Sequence, residues 1–260
     1  MPRNASEIRG SRFYDWQGQK VPSVTTILSA YPQPWAIPFG AKHAANRAVD
    51  ELPRLVALVL EDREDARKWL KRAPTDLRDS AADTGTDLHS YLEARLLGSD
   101  TWEAVRDPGE TARRAAIDSF LYHYRPEPLA IEAQVYNLRD GWAGSADLFA
   151  RVQGRPLCID LKTETAGDEN HKSRLQLAAY RNGQFIGEDG VDLGEVPETD
   201  GAAVLWVPRE HPQDWRLFIV EAGGPEYETF LATKRLWEFY HENDGEPVGF
   251  ALDLTEDNAA

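Results

Sequence analysis

Apolar and polar positions change rhythm about halfway along the chain. In the back half, short apolar runs alternate with turn signals. An apolar-rich run over residues 143–152 reads as a strand, Gln153-Gly154-Arg155-Pro156 as a turn, and residues 157–163 as a returning strand, so the pair predicts a hairpin. Side chains alternate faces along a strand. Asp160 and Lys162 therefore share a face, Ile159 and Leu161 point the other way into a core, and Asp147 on the partner strand comes close to Asp160. Residues 129–136 alternate in the same way just before Gly141-Trp142. Residues 164–170 are polar, and an amphipathic helix over about 172–185 follows, with Leu175, Ala178, Ala179 and Asn182 near helical spacing. Gln176 and Tyr180 are four residues apart and so lie on one face of that helix.

The remaining pattern sets the organisation. Residues 13–21 read as a small hairpin turning near Gly18, and a proline-rich loop spans 31–38. Helices are predicted at about 39–51, where Pro53 ends or kinks the run, and then at 54–72, 76–97 and 110–124. Residues 183–201 read as a long acidic loop with partial strand character. Strands at 202–207 and 215–220, a helix at 226–242 and a frayed acidic tail after Leu254 complete the order. This order predicts an α/β fold with a central mixed sheet flanked by helices and an N-terminal, mostly helical lobe. We divide it into residues 1–128, the hairpin and helical lobe, and 129–260, the sheet core, forming one compact unit. There is no internal repeat.

With 260 residues the chain can bury a sizeable core. No run approaches the roughly 20 apolar residues of a membrane span. Residues 1–7 lack the apolar stretch of a signal peptide, so a cytoplasmic protein is expected. One cysteine, Cys158, excludes an internal disulfide and reads as a small buried residue. No Gly-x-Ser-x-Gly nucleophile setting and no Gly-x-x-x-x-Gly-Lys phosphate loop is present.

The chemistry concentrates in Gly144-Ser145-Ala146-Asp147, Asp160-Leu161-Lys162, Gln176 and Tyr180. Two carboxylates with open coordination positions suit Mg²⁺ or Mn²⁺, which prefer hard oxygen ligands. Such a metal lowers the pKa of bound water and stabilises charge developing on a phosphate. A lysine two residues after the acid can position the attacking water and screen the phosphate. Gln176 and Tyr180 can bond the phosphate or hold the lysine. Asp-x-Lys alone is commonplace on solvated strands; the combination with the Gly-x-x-Asp strand and the Gln-x-x-x-Tyr helix is far more specific.

Together these motifs resemble the PD-(D/E)xK nuclease superfamily, specifically its RecB-like exonuclease branch, which includes phage recombination exonucleases. The resemblance covers residues 84–182 well and implies a restriction-endonuclease-like core. By it, Asp147 and Asp160 bind metal, the backbone carbonyl of Leu161 is a further ligand, and Lys162, Gln176 and Tyr180 complete the catalytic set. Upstream, Gly85-Thr86-Asp87-Leu88-His89 with Glu93 is similar to the branch's Gly-Thr-x-x-His helix, which makes His89 a metal ligand; Glu93 either orients it or solvates the helix. Glu132 is either another ligand or an exposed strand carboxylate. The implied activity is a metal-dependent DNA exonuclease of recombination or replication. Its substrate is DNA ends or single strands, with a recombinase or single-strand-binding protein as an admissible partner. The alternatives are an endonuclease of the same fold, a DNA-end-binding protein on a nuclease fold and, more distantly, another metalloenzyme. Relatives with an iron–sulfur cluster use four cysteines, so a cluster-free member is expected.

The formal net charge of −15 sits awkwardly with a polyanionic substrate. The acids can lie away from a groove lined by Lys42, Arg47, Arg113, Arg114, Lys172 and Arg174. Bound metal can neutralise part of the site. A salty cytoplasm or a partner that delivers the DNA would also serve.

Overall fold

Local turn chemistry and non-local strand pairing together build a seven-stranded mixed sheet. The computed structural model describes residues 5–8, 11–32, 34, 36–99, 108–163 and 170–242. The polar stretch after Thr163 and the acidic tail, both assigned above from sequence, lie outside these residues. An antiparallel meander comes first: β1 (Ala5–Ile8), β2 (Ser11–Trp16) and β3 (Gln19–Pro22). One turn of helix, α1 (Val24–Ile27), is capped by Ser23, whose hydroxyl accepts the Thr26 N–H. Helices α2 (Ala36–Asp50), α3 (Leu52–Glu61), α4 (Arg63–Leu96) and α5 (Pro108–Tyr124) form the helical part. Then come β4 (Glu127–Asn137), β5 (Trp142–Val152), β6 (Arg155–Lys162), α6 (Asn170–Arg181), β7 (Phe185–Glu188), β8 (Val191–Gly194), β9 (Gly201–Trp206), β10 (Arg216–Val220) and α7 (Gly224–Glu242).

One expectation needs correction, and another gains detail. The helix break expected near Pro74 lies at Asp62 instead. Asp62 is extended (φ −152) and its side chain accepts the Glu64 N–H at 2.7 Å, with Glu64 and Asp65 in the first turn of α4. That is a strong N-terminal cap in front of a favourable dipole end. Pro74 is tolerated inside α4, which packs against both α2 and α3. The partial strand character expected in the acidic segment 183–201 is the β7–β8 hairpin, turning at Asp189 and Gly190, both with positive φ. Asp-Gly at a two-residue turn is a recognised hairpin signal, because only such residues adopt left-handed φ at both positions cheaply.

The sheet order is β10-β9-β6-β5-β4-β7-β8, antiparallel throughout except for the parallel β6–β9 pair. The β5–β6 hairpin anticipated from sequence is present, with Leu148 opposite Ile159 and Val152 opposite Arg155. Each sheet face carries its own core. One, under α6 and α7, contains Val135, Ala146, Phe149, Cys158, Leu177 and Phe230. The other, under α4 and α5, contains Leu88, Leu92, Phe120, Leu148, Ile159 and Leu161. The strands at the sheet centre are thus buried on both sides, and polar groups among them are held by specific partners. Among the described residues no helix is long and apolar enough to cross a membrane.

Candidate metal centre

Three elements bring one donor each to a single point. His89 comes from the last third of α4, Glu132 from β4 and Asp147 from β5, and their ligand atoms all lie within 4.8 Å of one another. His89 Nδ1 is 3.4 Å from Glu132 Oε1 and 3.5 Å from Asp147 Oδ1. The three side chains keep 28%, 32% and 11% of their exposure, so the cluster opens to solvent. Each carboxylate has its other oxygen tied down: Asp147 Oδ2 accepts the Leu161 N–H at 2.7 Å, and Glu132 Oε2 accepts the Ser145 hydroxyl at 3.3 Å.

The backbone beneath is distorted at this place. Glu132 has φ +46, left-handed and uncommon for a residue with a side chain. The β4–β5 ladder pairs Ile131 with Leu148 and Ala133 with Ala146 on either side of it. Ile131 and Leu148 belong to the core under α4–α5, whereas Ala133 and Ala146 belong to the core under α6–α7. A regular strand keeps residues i and i+2 on one face. The pleat therefore reverses across the Glu132–Asp147 pair, at a strain cost of order 1–3 kcal/mol for such a residue.

Asp160 lies deeper. Its side chain is 2% exposed and is bracketed by Lys162 Nζ, at 2.9 Å from Oδ1 and 2.8 Å from Oδ2. Oδ2 nevertheless receives no properly directed hydrogen bond. Lys162 Nζ also lies 3.5 Å from Gln176 Oε1, and Gln176 Nε2 donates to the Tyr180 hydroxyl at 3.3 Å. Gln176 and Tyr180 are both buried, so this chain braces Lys162 from the core side. Tyr180 can lie there because Gly144 has no side chain: a Cβ at that position would sit 2.7 Å from Tyr180 Cε1.

Electrostatics follow from the burial. Desolvation would push the His89 imidazole down, but Asp147 and Glu132 more than offset it and hold it up at about 9. Burial raises the Asp147 carboxyl, with His89 and Lys162 opposing. Burial also lifts Asp160 to about 6, with Lys162 opposing and the Asp147 charge adding to the rise. A bound cation would favour the charged forms of Asp147 and Asp160 that burial opposes.

Of the residues singled out from sequence, His89, Glu132 and Asp147 converge on one point. Asp160, Lys162, Gln176 and Tyr180 form a connected hydrogen-bonded line beside it. Leu161 contributes its N–H to Asp147, and Glu93 is half-buried one turn beyond His89. Ser145 is a participant that the motifs do not single out; because the faces swap between Ala146 and Leu148, its spacing from Asp147 does not put the two on one face, and the sequence offers no signal for its contact with Glu132. Three of the arginines proposed to line a groove are engaged internally. Arg47 pairs with Asp76 at 2.8 Å, Arg114 with Glu110, and Arg174 with Glu221 and Glu226. A cleft of about 200 Å³ lined by Tyr31, Arg174, Leu175 and Glu226, among others, shares no residue with the cluster.

No protein-family model matches the chain, and a search of curated proteins finds no match.

Proposed function

We propose that this chain is a Mg²⁺- or Mn²⁺-dependent deoxyribonuclease of the RecB-like PD-(D/E)xK type, acting as an exonuclease on DNA ends or single strands. The observation that carries the reading is the convergence of His89, Glu132 and Asp147, from three separate elements, beside the Asp160–Lys162 pair. The residues fit a divalent cation. Carboxylate oxygens suit Mg²⁺ and Mn²⁺, one imidazole is compatible with Mn²⁺, and the buried Asp160 Oδ2 lacks a directed hydrogen bond that a cation would replace.

A bound Mg²⁺ or Mn²⁺ supplies water activation and neutralises charge on the phosphate. The chain's own residues do the rest. His89, Glu132, Asp147 and Asp160, with the Leu161 carbonyl, form the coordinating wall. Lys162 presents its ammonium next to Asp160, where it positions the attacking water and screens the phosphate. Gln176 holds Lys162 by its amide oxygen, and Tyr180 holds Gln176; neither reaches a phosphate, since both are buried.

The net charge is less of an obstacle than composition suggests. Glu188, Asp189 and Asp192 lie on the β7–β8 hairpin, at the sheet edge beyond β4, and Glu195, Glu198 and Asp200 lie on the connection from it to β9. Their repulsion of DNA is screened over roughly 8 Å at physiological ionic strength.

The test is incubation of end-labelled linear, nicked and closed circular DNA with Mg²⁺ or Mn²⁺. Loss of linear DNA with survival of closed circles supports an exonuclease. Cleavage of closed circles moves the reading to an endonuclease of the same fold. No cleavage of any substrate with either metal overturns the nuclease reading.

A further inference from the structure

Each of the two carboxylates at the centre has one oxygen anchored by the protein and one turned toward the cluster. Asp147 Oδ2 is fixed by the Leu161 N–H and Oδ1 faces His89; Glu132 Oε2 is fixed by the Ser145 hydroxyl and Oε1 faces His89. The first anchor is backbone and cannot be removed by substituting Leu161. The second is a single side chain on the strand opposite. It acts on a residue whose left-handed backbone already aims its carboxylate away from the regular pleat.

We infer that Ser145 is a specificity-determining residue that keeps Glu132 a one-oxygen ligand and thereby selects small octahedral cations over Ca²⁺. This rests on the metal centre proposed above. Mg²⁺ demands near-ideal octahedral geometry at short distances, which a two-oxygen carboxylate bite spoils, and Mn²⁺ is likewise an octahedral oxygen-site ion. Ca²⁺ takes 6–8 oxygens in flexible arrangements and accepts carboxylates through both. With Ser145 in place, its hydrogen bond competes for Oε2 and disfavours the two-oxygen bite. With the hydroxyl removed, Oε2 is released, the two-oxygen mode opens, and the larger ion gains relative to the smaller one. Ser145 touches no metal in this scheme; it is a positioning residue acting through Glu132, the kind of partner whose loss typically costs ten- to a hundredfold in metal affinity.

Isothermal titration of Mn²⁺ and of Ca²⁺ into the metal-free chain, and into Ser145→Ala and Ser145→Thr, decides the matter. Equal melting temperatures of the metal-free forms serve as the check on folding. The expected result is a preference for Mn²⁺ over Ca²⁺ that falls by about tenfold in Ser145→Ala and is retained in Ser145→Thr, which keeps the hydroxyl. An unchanged preference in Ser145→Ala overturns the inference while leaving the metal centre standing, as does a Ser145→Thr variant that loses the preference as fully as alanine. Failure of the unaltered chain to bind either ion overturns the metal centre and the inference together.

Discussion

The Asp147 carboxylate accepts the Leu161 N–H at 2.7 Å, just beyond Leu148 and Ile159, the last paired residues of β5 and β6 at that end. A side chain thus stands in for a ladder carbonyl. It satisfies a buried backbone donor and lets the two strands part while β6 continues in register with β9, Leu161 opposite Leu205. Asp147 therefore has a structural task as well as a chemical one, and the two can be separated.

Asp147→Asn keeps an oxygen acceptor for Leu161 but loses the charge. It is expected to fold, to lose Mn²⁺ binding in calorimetry and to lose cleavage. Asp147→Ala also orphans the N–H, a cost of about 1–3 kcal/mol that removal of a buried charge partly offsets. The expected order of metal-free stability is Asn above Ala. Normal Mn²⁺ affinity in the Asn variant would remove Asp147 from the metal site.

Stability of the metal-free chain should depend on Asp160 through pH. Its folded value, about 6, lies above the ordinary 3.8. A raised folded value means that its contribution is fully present below pH 3.8 and is lost as pH rises through about 6. Asp160→Asn is neutral throughout and should melt higher than the unaltered chain at pH 7.5 in EDTA. The gain should be up to about 3 kcal/mol, because each tenfold change in a proton's affinity for the carboxylate corresponds to about 1.4 kcal/mol. Lys162, 30% exposed, can turn to water when its partner is neutralised. The two melting curves should coincide below about pH 4; a less stable Asn variant at pH 7.5 would mean that the pair stabilises the fold.

Metal binding should release a proton from His89. Without metal the imidazole is held up at about 9 by Asp147 and Glu132 against its burial, so it is charged at neutral pH, and a coordinating nitrogen must be neutral. Mn²⁺ affinity should rise by up to about tenfold per pH unit between 6.5 and 9. Titrations in buffers of different ionisation enthalpy should count about one proton released at pH 7.5. His89→Gln should bind more weakly and lose most of that pH dependence. A pH-independent affinity in the unaltered chain would exclude His89 as a ligand.

Lys162 is steered through Gln176 and Tyr180, and Gly144 makes room for the last of these. Gln176→Ala should lower turnover with unchanged Mn²⁺ affinity. Tyr180→Phe removes only the hydroxyl that Gln176 bonds and should show a weaker version of the same effect. Gly144→Ala forces a methyl to within 2.7 Å of the Tyr180 ring and should cost about 1–3 kcal/mol in thermal unfolding. Near-normal turnover in both Gln176→Ala and Tyr180→Phe would reduce this helix to core packing.

Much of this is legible in the chain itself wherever a local rule applies. The β5–β6 strands follow from an apolar run, a turn and a second run; the shared face of Asp160 and Lys162 follows from period-two alternation; the pairing of Gln176 with Tyr180 follows from helical spacing. Even the misplaced helix break carries a local signal, a capping aspartate at Asp62 that outweighs Pro74, and the Asp-Gly turn at Asp189-Gly190 marks the hairpin within the acidic segment.

Tertiary structure decided what no spacing encodes. That β7 lies against β4, Ile186 opposite Val135, is a pairing between distant segments. That His89, more than forty residues from Glu132, meets it at 3.4 Å depends on how α4 packs on the sheet. The reversal of the pleat at Glu132, and with it the contact to Ser145, depends on a single left-handed residue held in place by neighbours on both strands. Periodicity assumes regular backbone, and it fails at Glu132, where a left-handed residue turns the strand faces over and the carboxylate meets Ser145 across the ladder and His89 from α4.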